Sequence, residues 1–329
     1  MSYQRNRTAL QKSAVDTAAM GFSGLMAPEH ARKFIQMIFD NDAFSRLHRK
    51  EQRVVTSGEI TKIGVSKRII RRKTENTDDG RRNGVSIGTI PYQTVPVRLP
   101  WEITEDVLRQ NIEKESLEDV VGGLMSKQFG LDLLDLHFNG DVDTPEHDSD
   151  YDFLSINDGW IKLMLNSGHV ISHTALPTPE SFSKEAFFAM ERTMPNRFKT
   201  PNLCWLMSPN RYLSYVEYMT ERATAAGDAA LIGSGEVIKS PLGRTIEQVP
   251  VVPDDVMMLV DPQNLVAVNT YTVKVRKTVE GVTAIMRDVR FYVVHIDDDA
   301  VIEEPAATVI MTDLPPIMPG MLGLPPDIN

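Results

Sequence analysis

The stretch from Glu51 to Trp101 constrains this chain more than any other. Two runs rich in Val, Ile and Thr, Val54 to Ile70 and Val85 to Leu99, flank the polar segment RRKTENTDDGRRNG, Arg71 to Gly84. Such residues suit a pleated strand. Asp79-Gly80 and Asn83-Gly84 supply the positive φ that tight turns need. The pattern predicts a long hairpin with a charged tip, and nothing near it in the sequence offers a core. An isolated hairpin is marginal in water. The expectation is therefore an arm held by other protein, and a chain that is one subunit of an assembly.

Length allows two or three domains in 329 residues. With 42% hydrophobic and 24% charged residues there is material for a sizeable core. No apolar run approaches the ~20 residues of a transmembrane helix, so no membrane association is expected. The first twenty residues lack an apolar core, so no secretory signal is expected. Cys204 is the single cysteine, which excludes an internal disulfide and a multi-cysteine zinc site. It sits in NLCWLM, a run that predicts a buried strand and an inert thiol.

The net charge of −10 is unevenly spread. Residues 1–100 hold 18 of the 35 Lys and Arg but only 9 of the 45 Asp and Glu, leaving 17 basic against 36 acidic groups in the other 229. A basic arm on an acidic body is self-complementary between copies and can fix their register. An acidic chain is also a poor general binder of nucleic acid, because phosphate contacts need a basic surface.

Residues 1–27 predict an extended N-terminal arm. A short helix is expected from Pro28 to about Asp42, with Phe34, Ile35, Met37, Ile38 and Phe39 on its apolar side. The strongest helix signal begins at Ser116-Leu117-Glu118-Asp119, which resembles a capping box. Leu117, Val120, Val121, Leu124, Gln128, Leu131, Leu134 and Phe138 then recur at helical spacing and predict one long helix with that stripe as its buried side. Helices are also expected after Trp160, from Ser181 to Thr193 and from Asn210 to Glu221, and strands over Asn202–Met207, Thr245–Pro253 and Val256–Val260. Ala223 to Ser240 is small and Gly-rich and predicts a loop. Three β-rich runs follow, Leu265–Arg276, Thr283–Val294 and Ala300–Met311, and the tail from 313 to 329 is rich in Pro and Gly.

Few constellations carry chemistry. The acidic loop from Asp141 to Asp152 invites a calcium site. As an EF-hand from Asp148 it fails, because Phe153 stands at the required Gly and Gly159 at the bidentate Glu. A metal-dependent enzyme built on this loop and the pair His169/His173 is the reading from a different class. Against it, Val170 and Ile171 between the histidines predict strand, and no HExxH glutamate is present. Gly233-Ser-Gly235 lacks the third glycine of a dinucleotide fingerprint. No GxSxG elbow and no phosphate loop is present. No catalytic residue, metal or cofactor is assigned. Arg71, Arg72, Lys73, Arg81 and Arg82 form the one concentrated basic cluster. Nucleic-acid binding is one reading, but the tip carries Glu75, Asp78 and Asp79 and no aromatic for base stacking. The preferred reading is an intersubunit contact of those five residues with Asp148, Asp150 and Asp152.

In the order of its parts the chain resembles the tailed-bacteriophage major capsid proteins. An N-terminal arm precedes an extended hairpin, then a long spine helix, a central α/β region and a β-rich return. Local echoes are Val97-Arg98-Leu99-Pro100-Trp101 leading into helix, Phe138-Asn139-Gly140-Asp141, Phe153-Leu154 with Asn157-Asp158-Gly159-Trp160, Leu203 to Pro209, Gly243 to Val260, and Val273-Lys274-Val275-Arg276. The resemblance implies an α+β fold over about residues 28–312. Its parts would be an arm with a short helix (1–50), the extended hairpin (51–100), a peripheral domain (101–160 and 265–312) and an axial domain (161–264). It implies self-assembly into hexamers and pentamers of an icosahedral virion shell around double-stranded DNA, formed in the host cytoplasm. Portal, scaffolding and decoration proteins are the further partners it implies. A nanocompartment shell of the same fold is the alternative. Lys62, Lys67 and Lys73 lie in the arm, but no partner asparagine can be assigned and no crosslink is expected.

Overall fold

The computed structural model describes residues 21–25, 46–64, 86–110, 115–179, 181–220, 241–270, 274–279 and 282–317. The helix expected from Pro28, the Gly-rich loop Ala223–Ser240 and the hairpin tip with Arg71, Arg72, Lys73, Arg81 and Arg82 lie outside the described residues. In chain order the elements begin with β1 (Gly21–Leu25), β2 (Arg49–Arg53), β3 (Ser57–Gly64), β4 (Ser86–Gln93) and β5 (Val95–Thr104). Helix α1 (Glu105–Gln110), the long α2 (Glu115–Asn139), the single turn α3 (Tyr151–Leu154) and α4 (Trp160–Ser167) follow. Next come β6 (His169–Ser172), α5 (Lys184–Thr193), β7 (Cys204–Met207), α6 (Pro209–Thr220), β8 (Ile246–Gln248) and β9 (Met257–Val260). The chain closes with β10 (Leu265–Thr270), β11 (Lys274–Val279), α7 (Val282–Arg287), β12 (Val289–Ile302) and β13 (Val309–Thr312).

The α+β expectation holds. A six-stranded sheet runs β1-β11-β12-β10-β2, with β5 also paired to β12, and a five-stranded sheet runs β6-β13-β9-β7-β8. Strand β12 spans 14 residues, about 46 Å at ~3.3 Å each, and so binds β5, β10 and β11 together. Its alternation sends Val294 and Ile296 onto Phe129 and Leu133 of α2, joined by Val97, Leu99 and Trp101 of β5. The five-stranded sheet is covered on both faces, which is why every residue of β7 and β9 is buried and neither strand alternates in sequence.

Several expectations are corrected. The run Thr283–Val294 is not all strand, because Val282–Arg287 forms α7 and Asp288 turns the chain back at φ 53°. The last β-rich run is divided. Ala300–Ile302 ends β12, whereas β13 crosses to the other sheet, parallel to β6 and antiparallel to β9, so residues 309–312 leave the stretch expected to be peripheral. The helix expected from Ser181 starts instead at Lys184, as α5, with the Ser183 side chain accepting the Glu185 amide. Ser208 caps α6, its Oγ accepting the Arg211 amide at 3.0 Å.

The long helix is present, and at 25 residues it spans about 37 Å. It starts at Glu115, so Ser116 lies inside the first turn rather than capping it. Its buried side is not the expected stripe. Val120 and Leu124 are 50% and 61% exposed and Leu131 is exposed, while Ser126, Phe129, Leu133, Leu136 and His137 are buried. Among the described residues of the expected stripe, only Leu134 and Phe138 end up fully buried. The helix carries apolar residues on opposite sides, and periodicity alone cannot choose which side meets the sheet.

Where α2 ends, two glycines let two backbones touch. The Gly159 amide donates to the Gly140 carbonyl at 2.8 Å, and the Asp141 amide donates to the Leu154 carbonyl at 2.8 Å. This contact seats Trp160, fully buried, with its Nε1 donating to the Val301 carbonyl at 3.1 Å. Around it one core cluster runs from Leu47 through Leu134, Phe138 and Met164 to Leu206, Ala267 and Ile310, and so ties both sheets together.

Candidate assembly site at the arm and its root

The hairpin is real, and its register is regular. Ser57 pairs with Gln93, Ile60 with Ile90, Ile63 with Ile87 and Gly64 with Ser86. Alternation along each strand separates two faces. On one, Ile60 and Tyr92 are buried and Ile90 packs beside them on Val266, Val268 and Val301 of the six-stranded sheet. The arm therefore has a core at its root, supplied by the chain's own body, and this corrects the expectation that nothing near it could serve. The returning leg also runs further than Leu99, as β5, through Thr104.

Polar contacts pin the same root. The Gln93 amide donates to Asp299 Oδ2 at 2.9 Å. Lys62 is ion-paired with Glu304, and Arg49 with Glu303. These pairs are partly solvated, so they set direction more than stability. Burial pushes the Asp299 carboxyl up to about 6, against the Gln93 and Ala300 amides that favour its charged form. Farther out, the cross-strand pair Ile63 and Ile87 is 71% and 69% exposed, and Val54 and Val55 in the bend before β3 are exposed as well. Unlike the root, this outer surface has no cover among the described residues.

Of the predicted contact residues, Asp148 and Asp150 are half-buried, and Asp152 is exposed. Asp148 Oδ1 accepts the Asp150 amide at 3.0 Å, which spends it on a turn of its own loop. The start of the loop is neutralised from within, where Lys162 reaches Asp141 at 2.8 Å and Asp143 at 2.7 Å. Asp158 Oδ1 accepts the Val142 amide. Among the described residues no group of three His, Cys, Asp or Glu is arranged to hold a metal. His169 opens β6 and His173 lies beyond its end, so the pair has no helical face in common.

Cys204 is buried, its Sγ facing the Val260 carbonyl at 3.5 Å, and burial pushes the thiol up to about 12. It should stay unmodified by iodoacetamide at pH 8 in the folded chain and react fully in urea, as intact mass will register. Modification of the folded chain would contradict this packing.

Sequence reasoning missed a buried polar group under the arm's entry. His137 of α2 meets Asp298 Oδ2 at 2.6 Å, and Asn269 Nδ2 donates to Asp298 Oδ1. His48 lies against His137 and Trp160, with ring centroids at 5.8 Å and 5.4 Å. No local signal marks such a cluster, because four separate segments build it.

An arm on a body of two sheets and a spine helix is the architecture of shell-forming capsid proteins. No family model matches the chain. Over 234 residues it is 27% identical to YqbE of Bacillus subtilis, named as a prophage capsid protein, covering 70% of this chain and 71% of that one. A chain of the satellite phage P4 procapsid superposes with a TM-score of 0.60 at 16% identity, over 88% of this chain and all of that one. The SrpI encapsulin of Synechococcus elongatus superposes at 0.51 with 10% identity, over 90% and 93%. The fold is that of the tailed-bacteriophage major capsid proteins, and the YqbE likeness adds a sequence relationship to a prophage capsid protein.

Proposed function

We propose that this chain is the wall subunit of a phage head, assembling into hexamers and pentamers of an icosahedral shell around double-stranded DNA. The observation that carries the reading is the arm, anchored on its own sheet at the root and bare and apolar beyond it at Ile63 and Ile87. Such a surface gains most by lying on a second copy. The basic residues Arg71, Arg72, Lys73, Arg81 and Arg82 would then meet an acidic neighbour, with Asp152 its exposed representative in the 141–152 loop. An acidic body suits a container, since its wall should not retain the DNA moved past it. No catalysis is proposed. Portal, scaffolding and decoration proteins are further partners by class.

The test combines Ile63→Asp with Ile87→Asp. The double variant should keep the wild-type melting temperature and fail to form shells by negative-stain electron microscopy and light scattering. Normal shells from a folded double variant would refute the role of the arm. The likeness to an encapsulin favours one second reading, a nanocompartment. Particle diameter and contents separate the two, since a head is filled with DNA and a compartment with protein.

A further inference from the structure

Strand β2 lies one residue after His48 and only three residues before the arm. It is bound to the body by parallel pairing with β10, from Arg49↔Val266 to Arg53↔Thr270. Directly beneath its start, His48, 7% exposed, packs its ring between His137 of α2 and Trp160 of α4. Nδ1 of His48 and Nδ1 of His137 are both buried with no hydrogen-bond partner. The one carboxylate of the cluster, Asp298, is already engaged by His137 and Asn269.

We propose that His48 is a pH-sensitive latch. Neutral, it packs and holds β2 on the body, and its protonation releases Leu47–His48 and loosens the root of the arm. The geometry gives a proton on His48 nothing to bind. From α2 it would face His137, from its own strand Lys50, and from α4 the Trp160 ring, while Asp298 on β12 lies behind His137. Asp299, on the opposite face of β12, accepts the Gln93 amide instead. Burial, then His137 and Lys50, hold the His48 imidazolium down to about 3. A released ring takes up a proton near 6.5. The packed form is therefore favoured fully above pH 6.5 and loses ground as pH falls toward 3. The device concerns the arm's root and holds whether or not the arm docks on a second copy.

Hydrogen exchange on the full chain, corrected for intrinsic rates, tests this. Protection of the Leu47–Arg53 amides should fall about 30-fold between pH 7.5 and pH 5, since the released His48 ring takes up a proton in this range and the packed His48 ring does not. The amides of β7 serve as the reference and should not change. His48→Gln, which carries no titrating ring, should abolish the pH dependence, and His48→Phe, which keeps the ring volume, should do so if the glutamine variant fails to fold. Flat wild-type protection across this range would overturn the proposal, as would variants that retain the wild-type profile.

Discussion

Gly159→Ala and Gly140→Ala are each expected to destabilise the unassembled chain by about 3 kcal/mol or more. A Cβ on Gly140 would lie 2.3 Å from the Asn157 carbonyl oxygen and 2.8 Å from that of Leu136, and one on Gly159 would lie 2.7 Å from the Gly140 nitrogen and from the Phe138 carbonyl oxygen. These are backbone atoms held by the exchange at 2.8 Å between the two loops, so they cannot swing aside as a side chain would. The shift must pass into Phe138 and Trp160, whose rings meet edge to face at 5.0 Å in the shared core. Gly123→Ala is the control. A Cβ there meets nothing within 4 Å, and in a helix interior alanine should stabilise by about 1 kcal/mol. Chemical denaturation midpoints of the three variants decide it, and a near-neutral Gly159→Ala would show that the contact relaxes.

Arg211→Met is expected to cost about 3–4 kcal/mol. The guanidinium is 2% exposed, and its Nε and Nη2 donate to the Asp254 carbonyl at 2.9 and 2.6 Å while Nη2 also donates to the Pro315 carbonyl at 2.7 Å. Its charge also lies 5.3 Å over the Phe182 ring. Burial lowers the group to about 10, with Asp254 and Asp255 opposing, so it is still a cation at neutral pH. Methionine would fill most of the volume and leave both carbonyls without their donors. Because one of them belongs to Pro315, the loss should also surface as faster exchange of the Leu314 amide, which donates to the Asp255 carbonyl at 3.1 Å. Unchanged exchange at Leu314 would mean that the end of the five-stranded sheet is held without Arg211.

The order of parts was legible in the sequence because each part is written locally. Val, Ile and Thr are concentrated in the two legs of the hairpin, an apolar 3.6 period marks α2, and Ser208-Pro209 opens α6 on its own cap. The echoes around Gly140 and Gly159 were visible as short motifs, though their reason, two backbones in contact across the end of α2, was not. Tertiary structure decided the rest. It chose Phe129 and Leu133 over Leu124 and Leu131 as the side of α2 that meets the sheet, since both sides satisfy a helical period. It sent β13 into the five-stranded sheet and made Thr283–Arg287 part of a helix, because pairing partners lie more than a hundred residues from β6 and local propensity does not encode them. The sequence by itself determined an arm, a spine and an acidic body. Only the fold decided that the arm's root is buried on its own sheet while Ile63 and Ile87 stay bare, and that His48 and His137, 89 positions apart, share one buried pocket, since burial is a property of neighbours and not of residues.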